Sequence, residues 1–332
     1  MAKVPLSRKF LRTFGVLITL VLAGCGSVSP RGTASAGASV PITFATSGDL
    51  GAQGIIAEHL GYFKQNHLVV KLQNYSLGTD TLDAILTGQA NFGCAIDFAA
   101  MTMMRSNQLR VVATIMRPSP GFYGLAVRGG ISTPQGLVGK KIGIVKGTDQ
   151  QYATIRYLEV NHVPLSSVHV VAFPDLYGLV AGLHTGQIDA AWVWSTGVNQ
   201  AKSIPGVKIL TRNNAGSLEP GYLLASKSFL NNHSAEVRNF LAALVKANHW
   251  MLSHLRQSST IVAKEIGAPP APTYQEMALE NYTVSWNQSD ASQFRAVASF
   301  MHHFGILKTT PSLHQDVILK PLSAVNANLV SK

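Results

Sequence analysis

The chain is poor in charge, poorer in acid and nearly devoid of cysteine. Charged side chains make up 13% of its 332 residues, with 16 acidic residues against 27 basic ones. Two cysteines, Cys25 and Cys94, allow at most one disulfide, which excludes a small secreted scaffold held together by several. Lys and Arg are dispersed rather than clustered, so the excess of base carries no nucleic-acid footprint. A Gly-rich phosphate loop, metal-ligand spacing and a nucleophile elbow are all missing. His302 and His303 are adjacent in a helical pattern, where neighbours diverge, so they make a poor ligand pair. Catalysis thus has little support, and neither a cofactor nor a metal is expected. The apolar run at residues 14–22 (FGVLITLVL) falls well short of the roughly 20 residues that a membrane-spanning helix needs.

That run has a different meaning in its setting. Lys3, Arg8, Lys9 and Arg12 precede it without an acid, and Leu22-Ala23-Gly24-Cys25 follows it. Basic start, short apolar run and small-residue exit mark a secretory signal. The L-A-G-C ending resembles a lipobox, in which the cysteine takes a diacylglyceryl group and the peptide is cut before it. The expectation is a signal peptide at residues 1–24, lipidation of Cys25 and a flexible tether over 25–40, whose Gly, Ser and Ala have no periodic face to bury. Without the four basic residues of the signal the net charge falls to +7. Cys94, left without a partner in the apolar run FGCAID, reads as a buried, inert thiol. About 290 remaining residues exceed a comfortable single core, so two lobes are expected.

Short apolar strands alternate with helix-period segments, an α/β signature. Strands are predicted at 40–45, 68–72, 91–96, 110–115, 141–145, 168–173 and 188–193. Helices are predicted in GAQGIIAEHLGYF, TLDAILTG, QQYATIRYLEVN, residues 177–184 and DASQFRAVASFMHHFG. Residues 234–255 form a long amphipathic helix with Val237, Phe240, Leu241, Leu244, Val245 and Asn248 in period. PPAPT at 269–273 reads as an interruption. Two echoes stand out. ILTGQAN at 85–91 matches LHTGQID at 183–189, each closing a helix with Gly and starting a strand. FYGLAV at 122–127 is echoed by YLLAS at 222–226, where two crossing strands would leave and re-enter a first lobe.

The units AEHLGYFKQNHLVVKL, LDAILTGQANFG, STPQGLVGKKIGIVKGT and LVAGLHTGQIDAAWVW resemble solute-binding proteins of ABC importers. The group is the one that includes sulfonate, nitrate, taurine and thiamine-precursor binders. The resemblance implies a type II two-lobed periplasmic-binding-protein-like α/β fold, each lobe a mixed sheet flanked by helices. Lobe 1 would comprise 41–126 and 227–332, and lobe 2 would comprise 127–226. It implies a monomeric receptor at the outer face of the cytoplasmic membrane or in the periplasm. A small-molecule solute and an ABC permease would be its partners. A ligand-sensing lipoprotein of the same fold is the alternative reading, and a thiamine-precursor synthase-like enzyme a more distant one. The chain departs from the group in having Ser195 and Thr196 where an acid and a proline usually follow the residue matching Trp194. That departure argues against a taurine-specific reading. Asn91 likewise stands where a strand-starting Asp is common, whereas Asp189 keeps the acid.

Ligands of open α/β sheets sit beyond the carboxyl ends of strands, at helix N-termini whose free N–H groups favour anions. The turn Lys146-Gly147-Thr148 is the leading candidate, with Asp149 read as the cap of its own helix. Ser47 and Gly48, Leu77, Gly78 and Thr79, and Asp97 with Phe98 would face it from the other lobe, Asp97 serving as cap or as partner of a ligand nitrogen. Trp194 and Ser195 at a strand exit would wall the cleft, with Trp192 as packing. Tyr177 and Tyr222 are weaker candidates.

Overall fold

Apolar strands that end in short polar turns pass into helices, and the chain repeats this in each of two sheets. The computed structural model describes residues 40–119, 122–214 and 219–331. The expected signal peptide, Cys25 and all of the tether except its last residue lie outside them. Ser39–Lys332 forms one compact unit.

The strands are β1 (Pro41–Ser47), β2 (Val69–Tyr75), β3 (Phe92–Ile96), β4 (Leu109–Pro118), β5 (Tyr123–Arg128), β6 (Lys141–Val145), β7 (His169–Phe173), β8 (Ala190–Trp194), β9 (Val207–Thr211), β10 (Gly221–Ser226) and β11 (Glu280–Ser285). Among the described residues they form two sheets, ordered β11-β4-β10-β3-β1-β2 and β7-β6-β8-β5-β9. In each sheet the strand next to one edge (β1 or β6) pairs in parallel with two neighbours. An antiparallel strand then follows beside β3 or β8. The two sheets share one plan, and each lobe is a mixed sheet with helices on its faces, as the α/β reading expected.

The helices are α1 (Ala52–His59), α2 (Tyr62–Gln65), α3 (Gly78–Leu86), α4 (Asp97–Met104), α5 (Asp149–Val160), α6 (Leu176–Thr185), α7 (Thr196–Lys202), α8 (Lys227–Asn232), α9 (Ser234–Ser253), α10 (Leu255–Ile266), α11 (Pro270–Met277), α12 (Gln288–His303), α13 (Leu313–Asp316) and α14 (Lys320–Val325). The long amphipathic stretch is α9, and Val237, Phe240, Leu241 and Leu244 are buried. Phe240 stacks on Phe92 at 4.0 Å and on Phe63 at 5.2 Å and meets Phe44 edge-on, fixing α9 to the first sheet. Asn248, in the same periodic set, accepts a hydrogen bond from Gln53 Nε2 at 3.2 Å.

The T-G-Q echo is a shared structural device. Gly88 and Gly186 both have φ +75°, the left-handed conformation that a residue without Cβ adopts freely. Asn91 then accepts from Thr43 N–H through Oδ1 at 2.7 Å while its own N–H donates to Thr43 O. Asp189 repeats both bonds with Lys141, accepting at 2.8 Å. An amide oxygen does what a carboxylate oxygen does, which explains why Asn is tolerated at position 91.

The second echo has a different outcome from the expected one. The strands β5 and β10 occupy equivalent positions in opposite sheets, so neither crosses between lobes. The chain leaves the first sheet after Pro118 and re-enters it at Gly221. The expected bounds at 126 and 226 would thus cut through β5 and set β10 apart from the sheet it pairs in. PPAPT, expected to interrupt, starts a helix: Pro270 takes the first position of α11, where its missing N–H costs nothing. The edge strands β9 and β11 were not anticipated. GAQGIIAEHLGYF is split at Gly61, whose φ of +70° ends one helix and starts the next.

The strand-start device predicts an asymmetry that urea unfolding can check. Asn91→Ala strands the Thr43 N–H and should cost about 1 kcal/mol, whereas Asn91→Asp should stay within about 0.5 kcal/mol of the parent. Equal losses would show that the side-chain oxygen is irrelevant.

Candidate ligand-binding site

Helices that follow β1, β2, β3, β6 and β8 begin at the strands' carboxyl ends, and both sheets direct those ends at a common boundary. A cavity of about 220 Å³ lies there. Its first wall is Ser47 and Leu50 after β1, Ser76 to Thr79 at the start of α3, and Ile96 and Ala99 around the start of α4. Its second wall is Tyr123 at the start of β5, Thr148 to Gln150 at the start of α5, and Trp194 at the end of β8. Among the described residues no side chain caps the N-terminus of α3 or of α5. First-turn N–H groups from both lobes are thus left to whatever fills the cavity.

Ser47, Leu77, Gly78, Thr79, Thr148 and Trp194 line this cavity as the sequence reading placed them. Others do not. Lys146 is exposed and does not line the cavity. Gly147 donates its N–H to Gln151 Oε1 at 2.8 Å, and Gly48 donates to Asn74 Oδ1 at 3.1 Å. Thr148 reaches the wall, but its hydroxyl donates back to Val145 O at 2.7 Å. Ser195 is buried behind Trp194 and donates to Glu276 Oε1 at 2.5 Å. The acid missing after Trp194 is therefore met by one from α11, on the opposite lobe. Ser195 also has φ +51°, a strained conformation for a non-Gly residue. Tyr177 is 67% exposed and Tyr222 fully buried, so neither reaches the cleft. Trp192 is fully buried in the second lobe's core, edge-on to Tyr157.

Asp97 meets a first-turn N–H of its own helix, as a cap would, whereas Asp149 departs from its expected capping role. Asp97 accepts from Phe98 N–H at 2.8 Å and from Gln293 Nε2 at 2.9 Å and lies just behind the wall. Asp149 leaves its own helix uncapped and accepts the same Phe98 N–H at 3.2 Å, across the lobe boundary. The two carboxyls also hydrogen-bond to each other, and burial holds both above the ordinary carboxylate range. Tyr123 hydrogen-bonds to Glu219, and its hydroxyl is pushed far up by burial and then by that acid. Gln150, missed in the sequence, ties strand ends together: its Oε1 accepts from Val145 N–H, and its Nε2 donates to Gly143 O and Trp192 O. Nothing in periodicity or composition marks such a glutamine. Tyr123 and Ile96 were findable, because both stand next to a strand end at the boundary.

A second acid group lies within the first lobe. Tyr282 donates to Asp49 Oδ2 at 3.0 Å, and burial followed by the nearby Glu276 pushes Asp49 up to about 7. Burial and Asp49 likewise raise Glu280. Burial drives the Cys94 thiol to about 12, so the free cysteine is inert at neutral pH. Among the described residues no cluster of His, Cys, Asp or Glu fits a metal ion. No helix there is long and apolar enough to cross a membrane.

Two mixed sheets of one plan facing each other across a cavity at their strand ends define a two-lobed, periplasmic-binding-protein-like fold. A family model described as NMT1/THI5 like matches residues 52–258, and the chain belongs to that family. A Bacillus subtilis (strain 168) protein, whose name proposes that it binds aliphatic sulfonates, is 27% identical over 134 residues. That match spans 40% of this chain and 40% of the relative. The periplasmic aliphatic sulphonate binding protein SsuA of Escherichia coli superposes with a TM-score of 0.72 at 17% identity, over 84% of this chain and 92% of that one. The desulfurization enzyme DSZB superposes with a TM-score of 0.66 at 12% identity, over 87% and 99%. The fold therefore serves both binders and an enzyme.

Asp49 gives the site's surroundings a pH signature. Its folded pKa of about 7 lies above its ordinary value of 3.8, so the folded chain holds a proton that the unfolded chain has released. Its contribution to stability is full below the ordinary value and is lost as pH rises through about 7. Asp49→Asn, which still accepts from Tyr282, should flatten the fall in melting temperature between those values. An unchanged slope would assign the pH dependence elsewhere.

Proposed function

We propose that the chain is an exported receptor that captures a small organic solute between its two lobes and delivers it to an ABC permease. The observation that carries this reading is the cavity where the uncapped N-termini of α3 and α5 meet. Each helix end carries roughly half a positive charge, and its N–H groups suit the oxygens of an anionic head group. The hydroxyls of Ser47, Ser76 and Thr79 add donors, and Trp194 offers an apolar face to the organic part. A sulfonate fits such a site, in keeping with the names of the relatives. Closing the lobes removes the head group from water, so the closed form gains affinity and the equilibrium shifts toward it.

Turnover fits the wall less well. Its titratable groups are Asp149 and Tyr123, both held toward the protonated form by burial and neighbouring acids. A transported or sensed ligand leaves this site unchanged. The lipid anchor at Cys25 rests on the sequence L-A-G-C behind its basic, apolar leader.

Titration calorimetry across short alkanesulfonates, taurine and nitrate tests capture. At least one sulfonate should bind, and Trp194→Ala should weaken it about tenfold or more. Absence of binding across the panel would defeat the reading. Fractionation tests the anchor separately: Cys25→Ala should release the exported protein from the membrane, and retention would rule the lipid out.

A further inference from the structure

The mutual contact of Asp97 and Asp149 has no role in the capture geometry described so far. Each begins a helix, α4 in the first lobe and α5 in the second, and each is nearly or fully buried. One N–H, that of Phe98, donates to both carboxyls. Gln293 from α12 occupies the remaining oxygen of Asp97. Two carboxylates cannot both keep their charge at such a contact, because burial and like-charge repulsion act together.

The groups facing the pair do not offset that charge. Glu219 approaches from the return crossing, and its negative charge adds to the pressure on Asp149. Tyr123 of β5, Tyr152 of α5 and Tyr222 of β10 border the pair, and all three hydroxyls are held protonated by burial and acids. Arg117 of β4 is bound at both ends of Asp290, at 2.9 and 2.5 Å, and Arg156 of α5 pairs with Glu159 at 2.7 Å. The Asp49 and Glu280 cluster lies within the first lobe, meeting the other lobe through the Ser195 to Glu276 bond.

We propose that Asp97 and Asp149 form a proton-held latch between the lobes, so that closure takes up a proton and solute capture strengthens as pH falls. The second half of this rests on the reading of the cleft as a capture site. In the open molecule near neutrality both carboxyls are hydrated and ionised. On closure Asp149 takes one proton from solvent and donates it to Asp97, which keeps its charge against Phe98 N–H and Gln293. Opening returns the proton to solvent. The latch also removes a negative charge from the wall where α5 offers its N–H groups, so an anionic solute and the proton favour the same state.

The chemistry of the two positions is unequal, which gives the test its force. Asn at 149 can donate to Asp97 without a proton while its oxygen still accepts from Phe98. Asn at 97 has one acceptor oxygen for two donors, Phe98 and Gln293. Small-angle X-ray scattering of the chain from Ser39 onward, without solute, should show the parent contracting as pH falls from the alkaline side toward the ordinary carboxylate range. Asp149→Asn should stay contracted throughout, and Asp97→Asn should stay expanded. If Asp97→Asn does not fold, the comparison of parent and Asp149→Asn still decides. With ethanesulfonate as probe, the parent Kd should weaken up to about tenfold per pH unit, and that of Asp149→Asn should hardly change. A radius independent of pH in the parent, or an Asp149→Asn variant that keeps the parent's shift, would overturn the latch. Scattering needs no solute, so a failure of ethanesulfonate to bind counts against capture of sulfonates and leaves the latch standing.

Discussion

The unsatisfied N–H groups in the first turns of α3 and α5 are the constraint around which this molecule is arranged. A helix start without a cap must find another partner or face water. Here two such starts, one per lobe, open on the same 220 Å³ cavity. The shared sheet plan brings them there. In each lobe a parallel strand is pinned at its start by Asn91 or Asp189, so its far end delivers the chain to the boundary in register. Gln150 then ties the ends of β6 and β8 together beneath the α5 turn.

Acids dominate the rest of that boundary. Asp97, Asp149, Glu219 and Glu276 come from both lobes and the segment between them, and burial rather than pairing with cations sets the behaviour of the two aspartates. An anion site built next to carboxyls works only where protons neutralise some of them. The excess of base in the chain lies elsewhere: Lys146, the one cation of the candidate turn, is exposed.

Much of the architecture was legible. Period-2 and period-3.6 patterning located most parallel strands and α9, and the T-G-Q echo marked two equivalent lobes because a left-handed Gly and a strand-starting acceptor recur together. What escaped depends on partners distant in sequence. β9 and β11 are edge strands, each paired with a single neighbour, with little patterning of their own. The expected bounds cut into the sheets because β5 and β10 resemble each other by equivalence of position rather than by continuity. Proline read as a breaker also starts helices, and only the preceding turn distinguishes the two. On the cavity wall, strand-exit position alone marks Ser47, the α3 start, Thr148 and Trp194. It does not show that Lys146 is exposed, that Ser195 is claimed by Glu276, or that Asp149 serves the other lobe's helix. Each of those outcomes is decided by a residue at least 50 positions away or by solvent.

On the proposed function an anionic head group sits between the starts of α3 and α5. The most direct measurement is anomalous diffraction from crystals grown with 2-bromoethanesulfonate, which marks the organic end with bromine and the head group with sulfur. The sulfur should lie at the N–H groups of Gly78, Thr79 and Gln150, with the bromine toward Trp194. Sulfur density elsewhere, or the bromine at the helix starts with the sulfonate toward Trp194, would contradict this placement.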